Sequence, residues 1–312
     1  MSKRPSEVES QDSLFNDATV IHKPVLVNEV LYWLNPQPNK QYLDVTFGSG
    51  GHTRAILEKE SQCSVIALDW DTRSLDQFGQ PLCEEFHGRL TLLWGNFALL
   101  YKQLKKEGIK AVDGLLADFG PSQTQLMQRP GFSFNYDTPL DMRMSPSFGR
   151  ITAAELLAKA PEEKLRQIFW QLGEEGYAKQ IAHAIVSTRM QYPIKTTRQL
   201  AQLIERIVPR EPRKKVHQAT KVFQALRIYI NRELENIESL LAISLQIVRP
   251  GGRLVFISFH SLEDRLVKRF FHMHAQQGRL KILTPKAIVA TAQEVRENPS
   301  ARSAKLRAAL VV

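Results

Sequence analysis

The chain has 312 residues, 43% of them hydrophobic, and carries 42 Lys and Arg against 32 Asp and Glu, a formal net charge of +10. This length predicts one large domain or a domain with an insertion, and the positive charge favours nucleic acid over an acidic metabolite as the partner. Cys63 and Cys83 are too few for a disulfide framework or a structural zinc site, so a reducing compartment, the cytoplasm, is expected.

Neither a membrane span nor a signal peptide is expected from the sequence. Residues 1–20 mix charged and polar side chains without an apolar segment and are interpreted as a disordered leader. No run approaches the roughly 18 to 20 consecutive apolar residues that a spanning helix needs, so no membrane partner is predicted. The oligomeric state stays open between a monomer and a weak homodimer.

Short apolar runs alternate with helical patterns in the first part of the chain. Because each run is almost continuously apolar, it predicts a strand buried on both faces, and the lengths between runs suit crossover helices. A further run follows the turn at 250–252 and precedes a helix that starts near Ser261. The sequence thus predicts an α/β fold with a parallel sheet, whose strands are expected at 42–47, 64–68, 90–94, 114–117 and 253–258.

Helical periodicity replaces this pattern from about 152 to 208, where apolar residues such as Ala178, Ile181 and Ile185 share one face. One long helix is then predicted for 218–247, leading back to the fifth strand. We therefore expect a sheet domain interrupted by an all-helical insertion. Its expected divisions are 21–140 for the first part of the sheet domain, 141–215 for the insertion, and 216–312 for the second part with a basic C-terminal segment.

A glycine-rich loop follows the first strand, with Gly48, Gly50 and Gly51 ahead of Thr53. It is either a plain strand-to-helix turn or a ligand site at the carboxyl edge of the sheet. Since the third glycine of G-x-G-x-x-G is missing, the dinucleotide fingerprint is incomplete. Asp44 before the loop would repel a pyrophosphate and attract the cationic groups of S-adenosylmethionine, which is the favoured cofactor.

Three later strand ends carry candidate site residues. Asp69 can accept hydrogen bonds from ribose hydroxyls in either cofactor class, and the ring of Phe97 either lies against an adenine or packs in the core. Asp118 starts a D-F-G-P segment loosely like the motif of enzymes that methylate exocyclic amines. Its carboxylate is either an ordinary helix N-cap or an acceptor for the N–H of a target amine.

Six segments of the chain form a set of long motifs in one order: TFGSGGH (46–52), GFSF (131–134), PLDMRM (139–144), FQALRI (223–228), ISFHSLEDR (257–265) and NPSARSAKLR (298–307). Together they closely resemble the bacterial small-subunit rRNA methyltransferases of the MraW/RsmH family. The resemblance extends from about His22 to Arg307.

This resemblance implies a class I, Rossmann-like S-adenosylmethionine-dependent methyltransferase sheet with an inserted helical domain for substrate recognition. The implied reaction is methyl transfer to the amino group at ring position four of a decoding-centre cytidine in the 16S rRNA of the small ribosomal subunit. Asp118 is the implied catalytic residue. By position in the motifs, the cofactor contacts would be Gly50, Gly51, His52, Asp69, Phe97, Asp118 and Gln125. Pro121 and Gln123 depart from the family's D-L-G-V-S-S pattern.

Several other residues leave alternatives open. Ser261 with Asp264 reads as a capped helix start, while His260 is a candidate for orienting the base or a phosphate. Loop aromatics at Phe132, Phe134 and Tyr136 either stack on a flipped base or form a lid packed on the insertion. Asp141 and Arg143, two residues apart, could equally form an ion pair within that lid.

Two basic clusters are expected to contact rRNA phosphates. No metal site is predicted: His272 and His274 lie at i, i+2, and neither they nor His217 have the partners of a zinc site. Alternatives to the leading reading are a nicotinamide-dependent oxidoreductase, a non-catalytic rRNA-binding assembly factor and a DNA cytosine methyltransferase. The clusters comprise Arg210, Arg213, Lys214, Lys215 and Lys221, and Arg302, Lys305 and Arg307.

Overall fold

The computed structural model describes residues 23–120, 129–145, 151–210 and 216–312. Predictions for the leader, for Pro121, Gln123 and Gln125, and for Arg213, Lys214 and Lys215 therefore lie outside the described residues. Within these ranges the chain forms one eight-stranded sheet and a separate group of helices.

All five predicted strands are present, and three short strands follow them near the C-terminus. The first strand ends at Asp44, earlier than predicted, because the Asp44 carboxylate folds the chain into a loop by accepting a bond from the Thr46 amide. The strands are β1 Gln41–Asp44, β2 Ser64–Asp69, β3 Leu90–Trp94, β4 Val112–Asp118, β5 Val248–Ser258, β6 Leu280–Ile282, β7 Ile288–Val289 and β8 Lys305–Val311.

The strand order is β3-β2-β1-β4-β5-β8-β6, with β7 paired to β8. Strands β1 to β5 are parallel, whereas β8 runs antiparallel to β5 and to β6. The chain progresses outward in one direction from β1 to β3 and then in the other from β4, so the switch point lies between β1 and β4. Open α/β sheets bind ligands in the crevice at this point.

Helices cover both faces of the sheet. On one face, α11 and α12 pack on a core that includes Ile237, Leu240 and Phe271; on the other, α1 and α2 pack on a core that includes Val30 and Ile56. The helices of this part are α1 Val27–Leu34, α2 Gly51–Lys59, α3 Thr72–Ser74, α4 Gln80–Glu85, α5 Leu100–Lys106, α11 Glu233–Ile247, α12 Ser261–Gln276 and α13 Ala292–Glu297.

The inserted segment is helical, as its periodicity predicts, and has a hydrophobic core of its own. Thr152 and Thr196 cap two of its helices, each with the reciprocal Glu or Gln three residues later. The helices are α6 Ala153–Lys159, α7 Glu162–Gly173, α8 Ala178–Arg189, α9 Thr197–Glu205 and α10 Thr220–Asn231.

The single helix predicted for 218–247 is wrong. Arg232 adopts a left-handed conformation with φ of 52° and divides the segment into α10 and α11. Phe223 and Leu226 of α10 pack in the helical core, whereas Leu240 of α11 packs against the sheet. The packing therefore changes near Arg232 and not at the division drawn at 215/216 from the sequence.

Membrane insertion through a helix has no support in the described ranges: none of their helices combines the length and apolarity of a membrane span.

Candidate active site at the sheet switch point

A cleft of about 970 Å³ opens at the carboxyl edge of the sheet. The loop after β1 forms one wall, and the ends of β2, β3 and β4 supply Asp69, Gly95 and Asp118. Met144 and the first turn of α11 close the opposite side. Loops from neighbouring parallel strands meet here because their carboxyl ends share one edge, so residues far apart in sequence face one cavity.

The glycine loop is shaped for close approach of a ligand. Gly48 and Gly50 have φ of 54° and 79°, a region that L side chains rarely adopt. A Cβ on Gly50 would lie 2.8 Å from the Phe47 ring, and one on Gly51 would lie 2.7 Å from Cγ of Pro24. Gly51, the first residue of α2, lines the cleft, and Gly50 precedes it as the cap. The helix thus presents its N-terminal amides to the cavity.

Asp44 does not have the position expected of it. It is buried and is not among the residues that line the cleft. One carboxylate oxygen accepts a bond from the Thr46 amide at 3.1 Å, and the other accepts one from the Thr53 hydroxyl at 2.8 Å. Asp44 therefore holds the loop in shape, and the cleft itself receives its negative charge from other carboxylates.

Asp69 occupies the cleft as predicted from its strand end. Its Oδ2 accepts a 2.7 Å bond from the Gly48 amide, and its Oδ1 accepts a 2.8 Å bond from the Asp71 amide. Burial raises the pKa of Asp69 to about 6, against the lowering effect of these two bonds. Each carboxylate oxygen has further acceptor capacity for a ligand hydroxyl.

His52 and Asp118 come together from α2 and β4. The His52 Nε2 atom lies 3.5 Å from Asp118 Oδ2, and Asp118 Oδ1 is buried with no hydrogen-bond partner in the part of the chain that the structure describes. Burial lowers the pKa of His52, but the Asp118 carboxylate, with Asp44 behind it, outweighs this and raises the pKa above its ordinary value. The backbone amide of Asp118 donates a hydrogen bond to the Thr46 hydroxyl at 2.7 Å, which ties the end of β4 to the loop after β1.

Phe97 packs in the core, which is one of the two alternatives left open for it, and it also borders the cleft. Its ring packs on the sheet core beside Phe119, with ring centroids 6.2 Å apart, and it also lines the cleft. The side chain of Asn96 caps the short turn that carries Phe97 by accepting a 2.8 Å bond from the Ala98 amide. An apolar ring is therefore fixed at the end of β3, where a flat heterocycle can rest against it.

The residues of the far wall of the cleft were not predicted from the sequence. Glu233, Asn236 and Glu263 line it, and Arg227 binds Glu233 through two bonds of 2.9 Å. No sequence pattern signals this contact, because a six-residue separation is not a helical i, i+4 spacing and depends on the turn at Arg232.

The helix after β5 begins at Ser261, but its cap differs from the expectation. His260 is the N-cap residue, and Glu263 accepts bonds from the amides of Phe259 and His260 at 2.8 and 3.3 Å. Asp264 instead pairs with Arg307 at 2.6 Å. Because Arg307 is buried in this pair, its predicted role in an rRNA-facing cluster is wrong.

The aromatic loop is largely packed. Phe132 is buried, and Phe134 stacks on His217 with a centroid distance of 4.5 Å and meets Phe223 edge-on at 5.2 Å. These contacts favour the lid interpretation for both rings. Tyr136 remains 64% exposed.

Asp141 and Arg143 form the internal ion pair considered from sequence. Arg143 Nε donates to Asp141 Oδ1 at 2.7 Å, and Nη2 donates to Oδ2 at 2.8 Å.

Comparisons with known proteins agree with this fold. A model of the MraW methylase family matches residues 19–311. Relatives named ribosomal RNA small subunit methyltransferase H include one from Thermomicrobium roseum, 43% identical over 95% of this chain and 95% of the relative. Others come from Granulibacter bethesdensis, 42% identical over 94% and 92%, and Carboxydothermus hydrogenoformans, 43% identical over 92% and 97%.

The mostly parallel sheet with one antiparallel strand is a Rossmann-like α/β fold, and the family match identifies the protein as a class I methyltransferase that uses S-adenosylmethionine. The family match covers nearly the whole chain. The chain belongs to the MraW methylase family.

Proposed function

We propose that this protein transfers a methyl group from S-adenosylmethionine to the N4 amino group of a decoding-centre cytidine in 16S rRNA of the small ribosomal subunit. The observation that carries the proposal is Asp118: its carboxylate lines the cleft at the switch point, and one buried oxygen has no hydrogen-bond partner among the described residues. That oxygen is a ready acceptor for an amine N–H.

The cleft residues fit this cofactor. Asp69, Asp118, Glu233 and Glu263 line one cavity and favour a ligand with ammonium and sulfonium groups over a pyrophosphate. We propose that Asp69 binds the ribose, Phe97 contacts the adenine, and Gly50, Gly51 and His52 hold the methionine end. The sequence-based proposal for Gln125 lies outside the described residues.

When bound, S-adenosylmethionine supplies an electrophilic methyl group on a sulfonium leaving group. The lone pair of a cytosine amine is delocalised into the ring, so acceptance of its N–H by Asp118 favours the tetrahedral nitrogen needed for attack. The amine attacks directly and in line, and no side chain of the enzyme becomes covalently modified. His52 keeps the Asp118 carboxylate in place from the α2 side.

We propose the helical segment as the substrate-recognition part. Arg210 and Lys221 are exposed at its end, and Arg302 is exposed near β8. Exposed lysines and arginines bind phosphates and make affinity dependent on salt. Carboxylates line the cleft, whereas the protein as a whole has a net charge of +10. We therefore propose that the cofactor and the RNA bind to different surfaces.

The test is transfer of labelled methyl from S-adenosylmethionine to small subunits lacking the modification, with naked rRNA and DNA alongside, followed by nucleoside analysis. We expect label in N4-methylated cytidine of the subunit. Label on DNA alone would identify a DNA methyltransferase, and cofactor binding without any transfer would favour a non-catalytic assembly factor. Stabilisation by a nicotinamide dinucleotide would contradict the cofactor assignment.

A further inference from the structure

Four ionisable side chains form a continuous network behind the far wall of the cleft. Arg227 binds both carboxylate oxygens of Glu233, each at 2.9 Å. His260 Nε2 lies 3.1 Å from Glu263 Oε1. The ligand atoms of Glu233, His260 and Glu263 all lie within 4.8 Å of one another.

The network is buried and yet borders the cavity. The side chains of Glu233 and Glu263 are 8% and 1% exposed, and both line the cleft that Asp118 also lines. Burying a charge is costly unless it is paired, so such a group needs a reason beyond packing. Stability alone does not supply one, because well-packed apolar residues often serve as well as a buried ion pair.

The arrangement favours a proton over a metal ion. Arg227 already neutralises Glu233 by a bidentate contact, and the Phe259 and His260 amides occupy Oε2 of Glu263. A divalent cation would have to share Glu233 with a buried guanidinium. Arg227 thus already supplies a positive charge beside the carboxylates, which is the role that a metal ion would otherwise have.

A target amine brings two N–H bonds to the cleft, and Asp118 accounts for one of them. An exocyclic amine that attacks a methyl group becomes positively charged and must then lose a proton. The second N–H therefore needs an acceptor on another wall, and among the described lining residues Glu233 and Glu263 are the carboxylates on the α11 and α12 side.

We infer that Glu233 is a second catalytic carboxylate, which accepts the other N–H of the target amine and takes its proton after methyl transfer. This inference rests on the proposed function. The nitrogen–carbon bond forms as the sulfur–carbon bond breaks, leaving a neutral thioether and a cationic amine. One amine proton passes to the Glu233 carboxylate, and the network releases it to solvent as the product departs.

The groups facing Glu233 set the direction of its pH dependence. Burial raises the pKa of Glu233, Arg227 on α10 lowers it, Glu263 on α12 raises it and His260 lowers it, with a net increase above the ordinary value. Since the carboxylate form accepts the proton, transfer is predicted to fall as pH drops through this raised pKa. Removing the charge of His260 is predicted to move that limb to higher pH.

The experiment measures single-turnover methyl transfer to undermodified small subunits from pH 5 to 9 for the wild type, Glu233→Gln and His260→Gln. Glu233→Gln is expected to slow transfer by about 100-fold or more, the usual contribution of a general base, and to lose the acid limb. His260→Gln is expected to shift the acid limb to higher pH. Asp113→Asn is the control, because Asp113 also pairs with an arginine, the exposed Arg249, but does not line the cleft.

Each outcome decides the inference. An unchanged rate and limb in Glu233→Gln, or a limb in the same place in His260→Gln, would overturn it. If Glu233→Gln fails to fold, as thermal melting would show, the His260→Gln limb alone decides. Absence of transfer by the wild type contradicts the proposed function instead.

Discussion

Asp118 Oδ2 and His52 Nε2 lie 3.5 Å apart inside the cleft, although one ends β4 and the other belongs to α2. The contact exists because β1 and β4 are neighbours in the sheet. It links the glycine loop, which is proposed to hold the methionine end, to the carboxylate proposed to bind the target amine. A buried histidine whose pKa is raised by a carboxylate in a cleft is typical of functional sites.

Asp118→Asn is expected to reduce methyl transfer by at least about 100-fold, since an amide is a weaker acceptor for the amine N–H. The fold is expected to remain intact. Thermal melting measures the stability of the variant, and calorimetry measures its affinity for the cofactor. Asp113→Asn is a matched control, because Asp113 stands at the opposite end of the same strand, where it accepts a bond from the Gln41 amide. Near-normal turnover in Asp118→Asn would remove Asp118 from the mechanism.

Asp69 predicts opposite pH dependences for cofactor binding and for stability. Ribose hydroxyls donate to the ionised carboxylate, so cofactor affinity is expected to fall below pH about 6, the raised pKa of Asp69. The stability of the free protein is expected to depend on pH in the opposite direction. Because the pKa of Asp69 is raised on folding, its contribution to the free energy of unfolding is present at low pH and is lost as pH rises through about 6. Calorimetry and melting from pH 5 to 8 measure both, and Asp69→Asn is expected to abolish both dependences. A flat affinity profile in the wild type would contradict this assignment.

Gly51→Ala is expected to weaken cofactor binding by at least tenfold, about 1.4 kcal/mol. The added Cβ would lie 2.7 Å from Cγ of Pro24, a stiff ring that also lines the cleft, so the wall must shift. Gly176→Ala is the control because its Cβ meets nothing within 4 Å. Equal cofactor affinity in both variants, measured by calorimetry, would show that the cleft tolerates the displacement.

Arg307 and Arg302 are expected to behave differently. Arg307→Met leaves the half-buried Asp264 unpaired, which is predicted to reduce the free energy of unfolding by about 3 kcal/mol. Arg302 is exposed, so Arg302→Met is expected to change stability by less than about 0.5 kcal/mol and to weaken rRNA binding. Urea unfolding and filter binding measure the two effects, and similar unfolding midpoints would contradict the structural role of Arg307.

Charge reversal of Arg213 and Lys214 together is expected to weaken binding to small subunits while leaving cofactor affinity intact. The expectation comes from the basic sequence at the end of the insertion, where each phosphate contact adds to the salt dependence. Binding measured over a salt series should show a shallower slope for the variant. An unchanged affinity at moderate salt would refute it.

Local sequence patterns were sufficient for the five parallel strands and for the helical nature of the insertion, but not for β6, β7 and β8. Continuous apolar runs gave all five parallel strands, since strands covered on both faces need apolar residues throughout. Helical periodicity likewise identified the inserted segment. The break at Arg232 escaped detection because the apolar stripe continues through it, and only the packing of α10 and α11 on different cores requires the left-handed turn.

Within the cleft, the sequence by itself determined the residues that follow strand ends: Asp69, Phe97 and Asp118 reach the cavity because parallel strands end at one edge. Only the tertiary structure decided that the Asp44 carboxylate accepts hydrogen bonds from Thr46 and Thr53 and does not face the cleft. The tertiary structure also decided that Arg302 is exposed while Arg307 is buried, and that Glu233 lines the cleft. The physical reason is that hydrogen-bond partners and burial depend on contacts between distant segments, which spacing along the chain does not encode.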